Sequence, residues 1–198
     1  MKNGRCFVLA GLLMIFFSLT GNVWAKDNQL TLKGGYHVWA NSGQTFRDSE
    51  KGDKEFNGPC YALEYTRFVG KNFSLSSSLC KYKQIKEKIF PNYKFVCDVA
   101  YLDITARMRK KIGQKLDMYV GVGPGIYWND LEQNGKQIEY HTGLGGHAVL
   151  GVNHRLSEKW GLMAECRYAF NKWNSEKWRE TTWDTAGLFY FTGITLNF

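Results

Sequence analysis

Three features that many membrane-bound, metal-binding or nucleic-acid-binding domains have are missing from this sequence. Beyond residue 25, no stretch reaches the roughly 18 consecutive apolar residues that a membrane-spanning helix needs. No CxxC pair occurs, and no His lies at a zinc-ligand spacing from two Cys, so neither a metal site nor a cofactor is predicted. Basic residues are dispersed without the runs typical of nucleic-acid binding, so no nucleic-acid partner is expected.

The first 25 residues predict a signal peptide. Lys2 and Arg5 precede an apolar stretch from Cys6 to Leu19, and Val23-Trp24-Ala25 supplies small residues where a signal peptidase cleaves. A retained transmembrane helix is the alternative, but the apolar stretch is short and no stop-transfer charges follow it. Cleavage after Ala25 leaves 198 − 25 = 173 residues, with 26 − 2 = 24 basic and 18 acidic side chains and a formal charge of +6.

Residues 26–198 have the size of one domain and alternate between polar and apolar positions. In one segment, for example, Leu144, Ala148 and Leu150 share a face, opposite His147 and Val149. This period of two predicts β-strands. Eight such segments are predicted, at 29–40, 58–68, 73–83, 95–109, 116–128, 142–155, 160–171 and 183–198.

The connections between these segments alternate in length. Short turns at 69–72, 110–115 and 156–159 alternate with longer polar loops at 41–57, 84–94, 129–141 and 172–182. Short turns on one side and long loops on the other are typical of transmembrane β-barrels, and closure satisfies strand edges that lipid cannot. The predicted fold is therefore all-β, an eight-stranded antiparallel up-and-down transmembrane β-barrel.

The strand face opposite the apolar one carries charges of both signs. A barrel of about eight strands has an interior that side chains can fill, so these residues predict a packed polar network in the lumen and not a water channel. Buried charges need partners, which makes a structural role the simplest interpretation, for the two histidines as well. The predicted members are Lys33, His37, Glu64, Asp103, Arg107, Asp117, His147, Glu165 and Arg167.

The last nine residues, Tyr190 to Phe198, carry a family resemblance. Tyr190, Ile194 and Leu196 alternate toward a terminal Phe198, which resembles the C-terminal strand signature of outer-membrane proteins. The glycine-rich strands at 119–127 and 143–151 and the strand at 160–168 are similar to those of the small OmpA-, OmpX- and OmpW-like barrels. The resemblance implies an outer-membrane location, contact with membrane lipid and lipopolysaccharide, and recognition of the C-terminal strand by the barrel assembly machinery.

Four cysteines follow the predicted signal peptide. If the turn after the second segment centres on Gly70, Cys60 and Cys80 stand opposite each other on the lumen face, within cross-strand reach. The sequence is compatible with a disulfide between them and with a reduced pair. Cys97, near the same rim, is a competing partner. Cys166 falls on the lipid face, where a small apolar thiol is unremarkable.

The favoured functional hypothesis is a non-enzymatic outer-membrane barrel whose exposed loops serve a structural, adhesive or defensive role toward an unidentified surface ligand. A small pore, as in OmpW-like relatives, is one alternative and requires a continuous lumen or a lateral opening near Pro124. A lipid A-modifying acyl hydrolase or transferase is another. It requires a nucleophile, a base and an orienting acid, and no late-strand His is followed two residues later by Ser. No catalytic residue is therefore predicted.

Overall fold

The computed structural model describes residues 28–39, 57–88, 93–174, 182–184 and 186–198. These residues form the strands β1 (Asn28–Trp39), β2 (Gly58–Phe68), β3 (Phe73–Lys88), β4 (Tyr93–Ile112), β5 (Leu116–Gln133), β6 (Lys136–Arg155), β7 (Trp160–Asn174), β8 (Thr182–Asp184) and β9 (Gly187–Asn197). Within this part of the chain, no helix is long and apolar enough to cross a membrane. The predicted signal peptide (1–25) and most of the first long loop (41–57) lie outside the described residues.

Eight of these strands close into a ring of antiparallel neighbours. Strands β1 to β7 pair in sequence order, β7 pairs with β9, and β9 pairs with β1, so every strand of the ring has a partner on both sides. The short β8 pairs only with the end of β7. The prediction of an eight-stranded antiparallel up-and-down barrel is confirmed, and closure removes the open edges that lipid could not satisfy.

The strands on one side of the ring are longer than the sequence pattern predicted. β3 continues to Lys88 and β4 begins at Tyr93, so most of the predicted loop 84–94 is a β-ladder. The predicted loop 129–141 is a hairpin of β5 and β6 that turns at Asn134-Gly135, with φ of 51° and 77°. Two left-handed residues in an Asn-Gly turn match the twist of a tight hairpin. Both hairpins project beyond the ring at the long-loop end.

The two faces of the wall differ sharply in polarity. Outward positions are apolar and exposed, for example Leu32 (66%), Val122 (64%) and Leu144 (79%), and they form a continuous belt around the ring. The belt ends toward the long hairpins where Lys81 pairs with Asp98 across 3.4 Å. A soluble protein rarely exposes a continuous apolar surface of this extent. Such a belt is typical of a barrel wall that faces lipid.

Candidate functional site: the barrel lumen

The lumen holds the buried charges at its centre. Six of the nine predicted residues meet there, which we call the charged cluster: Lys33, Glu64, Asp103, Arg107, Glu165 and Arg167. They come from β1, β2, β4 and β7, because alternation directs each of these side chains inward. Three cations face three carboxylates, so the charged cluster is neutral as a whole, as burial demands.

Glu64 is the acceptor for three cations. Arg107 donates from Nη1 to Glu64 Oε1 at 2.7 Å and from Nη2 to Oε2 at 2.6 Å, which is a bidentate pair. Lys33 Nζ donates to the same Oε2 at 2.6 Å, and Arg167 Nη2 donates to it at 3.5 Å. Glu64 therefore ties β2 to β1, β4 and β7.

Glu165, on β7, is a second acceptor shared by several donors. It accepts from Lys33 at 3.0 Å, from Arg107 at 3.1 Å and from the Tyr119 hydroxyl at 2.9 Å. Arg167 donates to Glu165 Oε1 at 3.1 Å through Nε and to Asp103 through Nη1. Strands far apart in the ring are thus connected through the middle of the barrel.

His147 lies at the edge of the charged cluster. Its Nε2 is 2.8 Å from the Thr105 hydroxyl and 4.0 Å from Asp103 Oδ1. A hydroxyl, an imidazole and a carboxylate together suggest a nucleophilic triad, but both partners approach the same ring nitrogen, whereas a triad needs the acid on the other one. The side chains of His147 and Asp103 are both fully buried. The arrangement therefore lacks the geometry of a nucleophilic triad.

The other two predicted lumen residues are separate from the charged cluster. His37 is buried toward the long hairpins, 4.7 Å from the ring of Tyr82 and 4.4 Å from Phe189. Asp117 is buried at the short-turn end, where Arg109 Nη2 lies 2.9 Å from its Oδ2. All nine predicted positions are thus inside the barrel, at three different heights.

An aromatic plug fills the lumen between the charged cluster and the long hairpins. Tyr101 stacks on Tyr127 with ring centres 4.9 Å apart, and Phe189 stacks on Phe191 at 5.9 Å. The remaining member, Tyr82, packs edge-on against Phe189 at 5.0 Å. The sequence analysis missed this plug because it treated inward positions as polar; the alternation that placed the charges inside places these rings inside as well.

The cysteines depart from the predicted register. Cys60 stands opposite Tyr82, and Cys80 opposite Ala62, so the prediction that Cys60 and Cys80 face each other directly is wrong. The turn centres on Lys71 and not on Gly70, which shifts the pairing by two residues and makes the two cysteines diagonal neighbours. Both are fully buried free thiols in the lumen, and Cys97 is a buried free thiol nearer the hairpin tips.

The C-terminal strand presents its predicted apolar residues to the exterior. Tyr190, Ile194 and Phe198 are half-exposed or more on the outer wall, and β9 pairs with β1 to close the ring. Among the described residues, no group of His, Cys, Asp or Glu is arranged to hold a metal ion.

An apolar exterior, a neutral buried ion-pair network and a ring without free edges define a small transmembrane β-barrel. The sequence matches the model of the outer membrane protein beta-barrel domain family over residues 9–198, and the chain belongs to that family of outer-membrane proteins. No curated protein matches the chain.

Solved structures with the same fold come from several bacteria. The outer membrane protein OprG from Pseudomonas aeruginosa is 12% identical with a TM-score of 0.63, covering 88% of this chain and 97% of its own. Neisserial surface protein A is 13% identical with a TM-score of 0.58, covering 87% and 97%. Ail, the attachment invasion locus protein of Yersinia pestis, was solved with the heparin analogue sucrose octasulfate; it is 13% identical with a TM-score of 0.54, covering 87% and 98%.

Proposed function

We propose that this protein is a non-enzymatic cell-surface barrel that binds anionic carbohydrate through its long hairpins. The observation that carries the proposal is the division of the molecule into a barrel with an apolar exterior and two β-hairpins that extend beyond the apolar belt. A lumen filled by paired charges and stacked rings offers no substrate path, so the exposed chemistry lies on the hairpins.

The β3–β4 hairpin supplies the positive charge for this role. From Lys81 to Asp98, with both ends included, the sequence holds five lysines and two acidic residues. Lys83 and Lys94 are exposed, and an extended hairpin spaces such cations along one ribbon. Ail, which has the same fold, was solved with a sulfated sugar, and sulfate or phosphate groups on surface polysaccharides fit a ribbon of lysines.

The test measures how many intact bacteria are retained by immobilised heparin when they express the wild-type protein or one of two variants. We expect Lys83→Gln/Lys94→Gln to reduce cell retention several-fold, and added salt to reduce it further because exposed charges are screened. Lys110→Gln/Lys115→Gln, which removes the same charge at the opposite end of the barrel, should leave retention unchanged. Equal retention by all three strains would refute the carbohydrate role.

A pore is the second candidate in the small-barrel class, but the geometry of β4 and β5 near Pro124 does not favour a lateral opening at that position. The β4–β5 ladder lacks pairs between Asp103–Gly125 and Ala106–Val122, next to Pro124, which has no N–H to donate. The strands nevertheless stay close, since a Cβ on Gly123 would collide with the Ile104 carbonyl oxygen.

An acyl-chain enzyme is tested by expressing the protein and comparing lipid A masses, which we expect to be unchanged.

A further inference from the structure

The short-turn end of the barrel contains a polar cavity of about 430 Å³ that the surface function does not use. We call it the periplasmic mouth, because short turns of such barrels face the periplasm. Its charged lining consists of Lys71, Arg109, Lys111, Asp117, Arg155 and Glu158. Four cations against two acids give the periplasmic mouth an excess of two positive charges, whereas the charged cluster above it is neutral.

Strand register gathers these residues on one inward arc. Lys111 stands opposite Asp117, and Asp117 opposite Asn153, across β4, β5 and β6. Arg109 lies two residues from Lys111, and Arg155 two residues from Asn153, so both point to the same side of their strands. Lys71 is added by the β2–β3 turn.

Existing contacts leave most of this positive charge available. Arg109 is held by Asp117 at 2.9 Å and by the Phe68 ring, 3.9 Å from its guanidinium carbon, so its orientation is fixed. Lys71, Lys111 and Arg155 have no ion-pair partner in the part of the chain that the structure describes. Exposed apolar residues ring the same level, among them Ile112 and Leu156, which places the opening at the height of the inner-leaflet headgroups.

We propose that the periplasmic mouth binds a phosphate-bearing anion, coordinated by Lys71, Lys111 and Arg155 beside the fixed Arg109. A phosphate group carries up to about two negative charges and several acceptor oxygens, which match an excess of two positive charges and convergent N–H donors. The source is a free phosphate compound of the periplasm or the headgroup of an anionic phospholipid.

The first measurement is a titration of the folded mature protein with inorganic phosphate in a maltoside detergent, followed by backbone amide NMR shifts at constant ionic strength. We expect the shifts to centre on the periplasmic mouth. Lys111→Gln/Arg155→Gln should weaken binding about tenfold or more, because each cation loses a charge-assisted hydrogen bond. Lys110→Gln/Lys159→Gln is the matched control, since it removes two charges at the same height outside the cavity.

The second measurement distinguishes the source of the phosphate. Native mass spectrometry counts phosphatidylglycerol and phosphatidylcholine retained by each variant. Phosphate binding that only the mouth variant loses supports a free anion, and phosphatidylglycerol retention that only this variant loses supports a lipid headgroup. If neither ligand binds, or if both variants lose binding equally while remaining folded on unboiled gels, the proposal is wrong.

Discussion

At the scale of single residues, the charged cluster decides what a substitution in the lumen costs. Glu165 forms ion pairs with Lys33, Arg107 and Arg167, and its side chain is fully buried. Removing a buried partner leaves an uncompensated charge, whereas removing an opposite pair restores neutrality. The sequence predicted these residues from alternation alone, but it could not predict which charges meet, because pairing depends on the stagger of strands across the ring.

Glu165→Gln should lower the free energy of unfolding by about 3–5 kcal/mol, because three cations then share two carboxylates in a buried site. The measurement is urea unfolding of the refolded protein in detergent. Lys33→Met/Glu165→Gln, which returns the cluster to neutrality, should lose less than the sum of the two single variants. Glu158→Gln at the exposed turn is the control, and an equal loss there would contradict the role of the cluster.

The lumen thiols make a second residue-scale prediction. Diagonal neighbours across antiparallel strands lie about 7–8 Å apart at Cα, farther than most disulfides allow, so we expect Cys60 and Cys80 to remain reduced. A polar maleimide should leave both unlabelled in the folded protein, since they are fully buried. After unfolding without reductant, a chain of residues 26–198 should label at all four of its cysteines. A mass increment two labels short would demonstrate a disulfide.

At the scale of elements, strand existence could be predicted and strand ends could not. Alternation located every strand of the ring, because a wall with lipid outside and a packed lumen inside imposes it at each residue. Above the belt this constraint vanishes, so residues 129–141 resemble a polar loop although they form a hairpin. The Asn134-Gly135 pair was the available indication, and its positive φ values confirm the turn.

The approach of β4 and β5 at Gly123 is an element-scale feature that mutation can test. Gly123→Ala places a methyl group against the Ile104 carbonyl oxygen and should destabilise the barrel by about 1–3 kcal/mol, as overpacking does. Gly34→Ala is the matched control, because a Cβ there has nothing within 4 Å. The stability of both variants is measured as the temperature at which the folded band on SDS gels converts to the unfolded band. Equal midpoints would show that the wall at Pro124 is looser than the structure indicates.

At the scale of the whole molecule, three layers of side chains follow one another along the lumen. The periplasmic mouth is open and polar, the charged cluster crosses the full width of the barrel, and the aromatic plug fills the space toward the hairpins. A permeating ion would have to displace the buried pairs and then pass stacked rings. We therefore expect the lumen to be closed to ions from both ends of the barrel.

Residues 26–198, reconstituted in planar bilayers, should consequently show no discrete conductance steps. To open a path for ions, the pairs Lys33–Glu165 and Arg107–Glu64 would have to separate. Because separation leaves unpaired charges in a narrow lumen, we expect such opening to be rare. Insertion is verified by the heat-dependent shift of the recovered protein on gels, since a closed barrel resists detergent kinetically. Reproducible unit steps whose frequency rises with protein dose would establish a pore and would show that the charged cluster rearranges in the membrane.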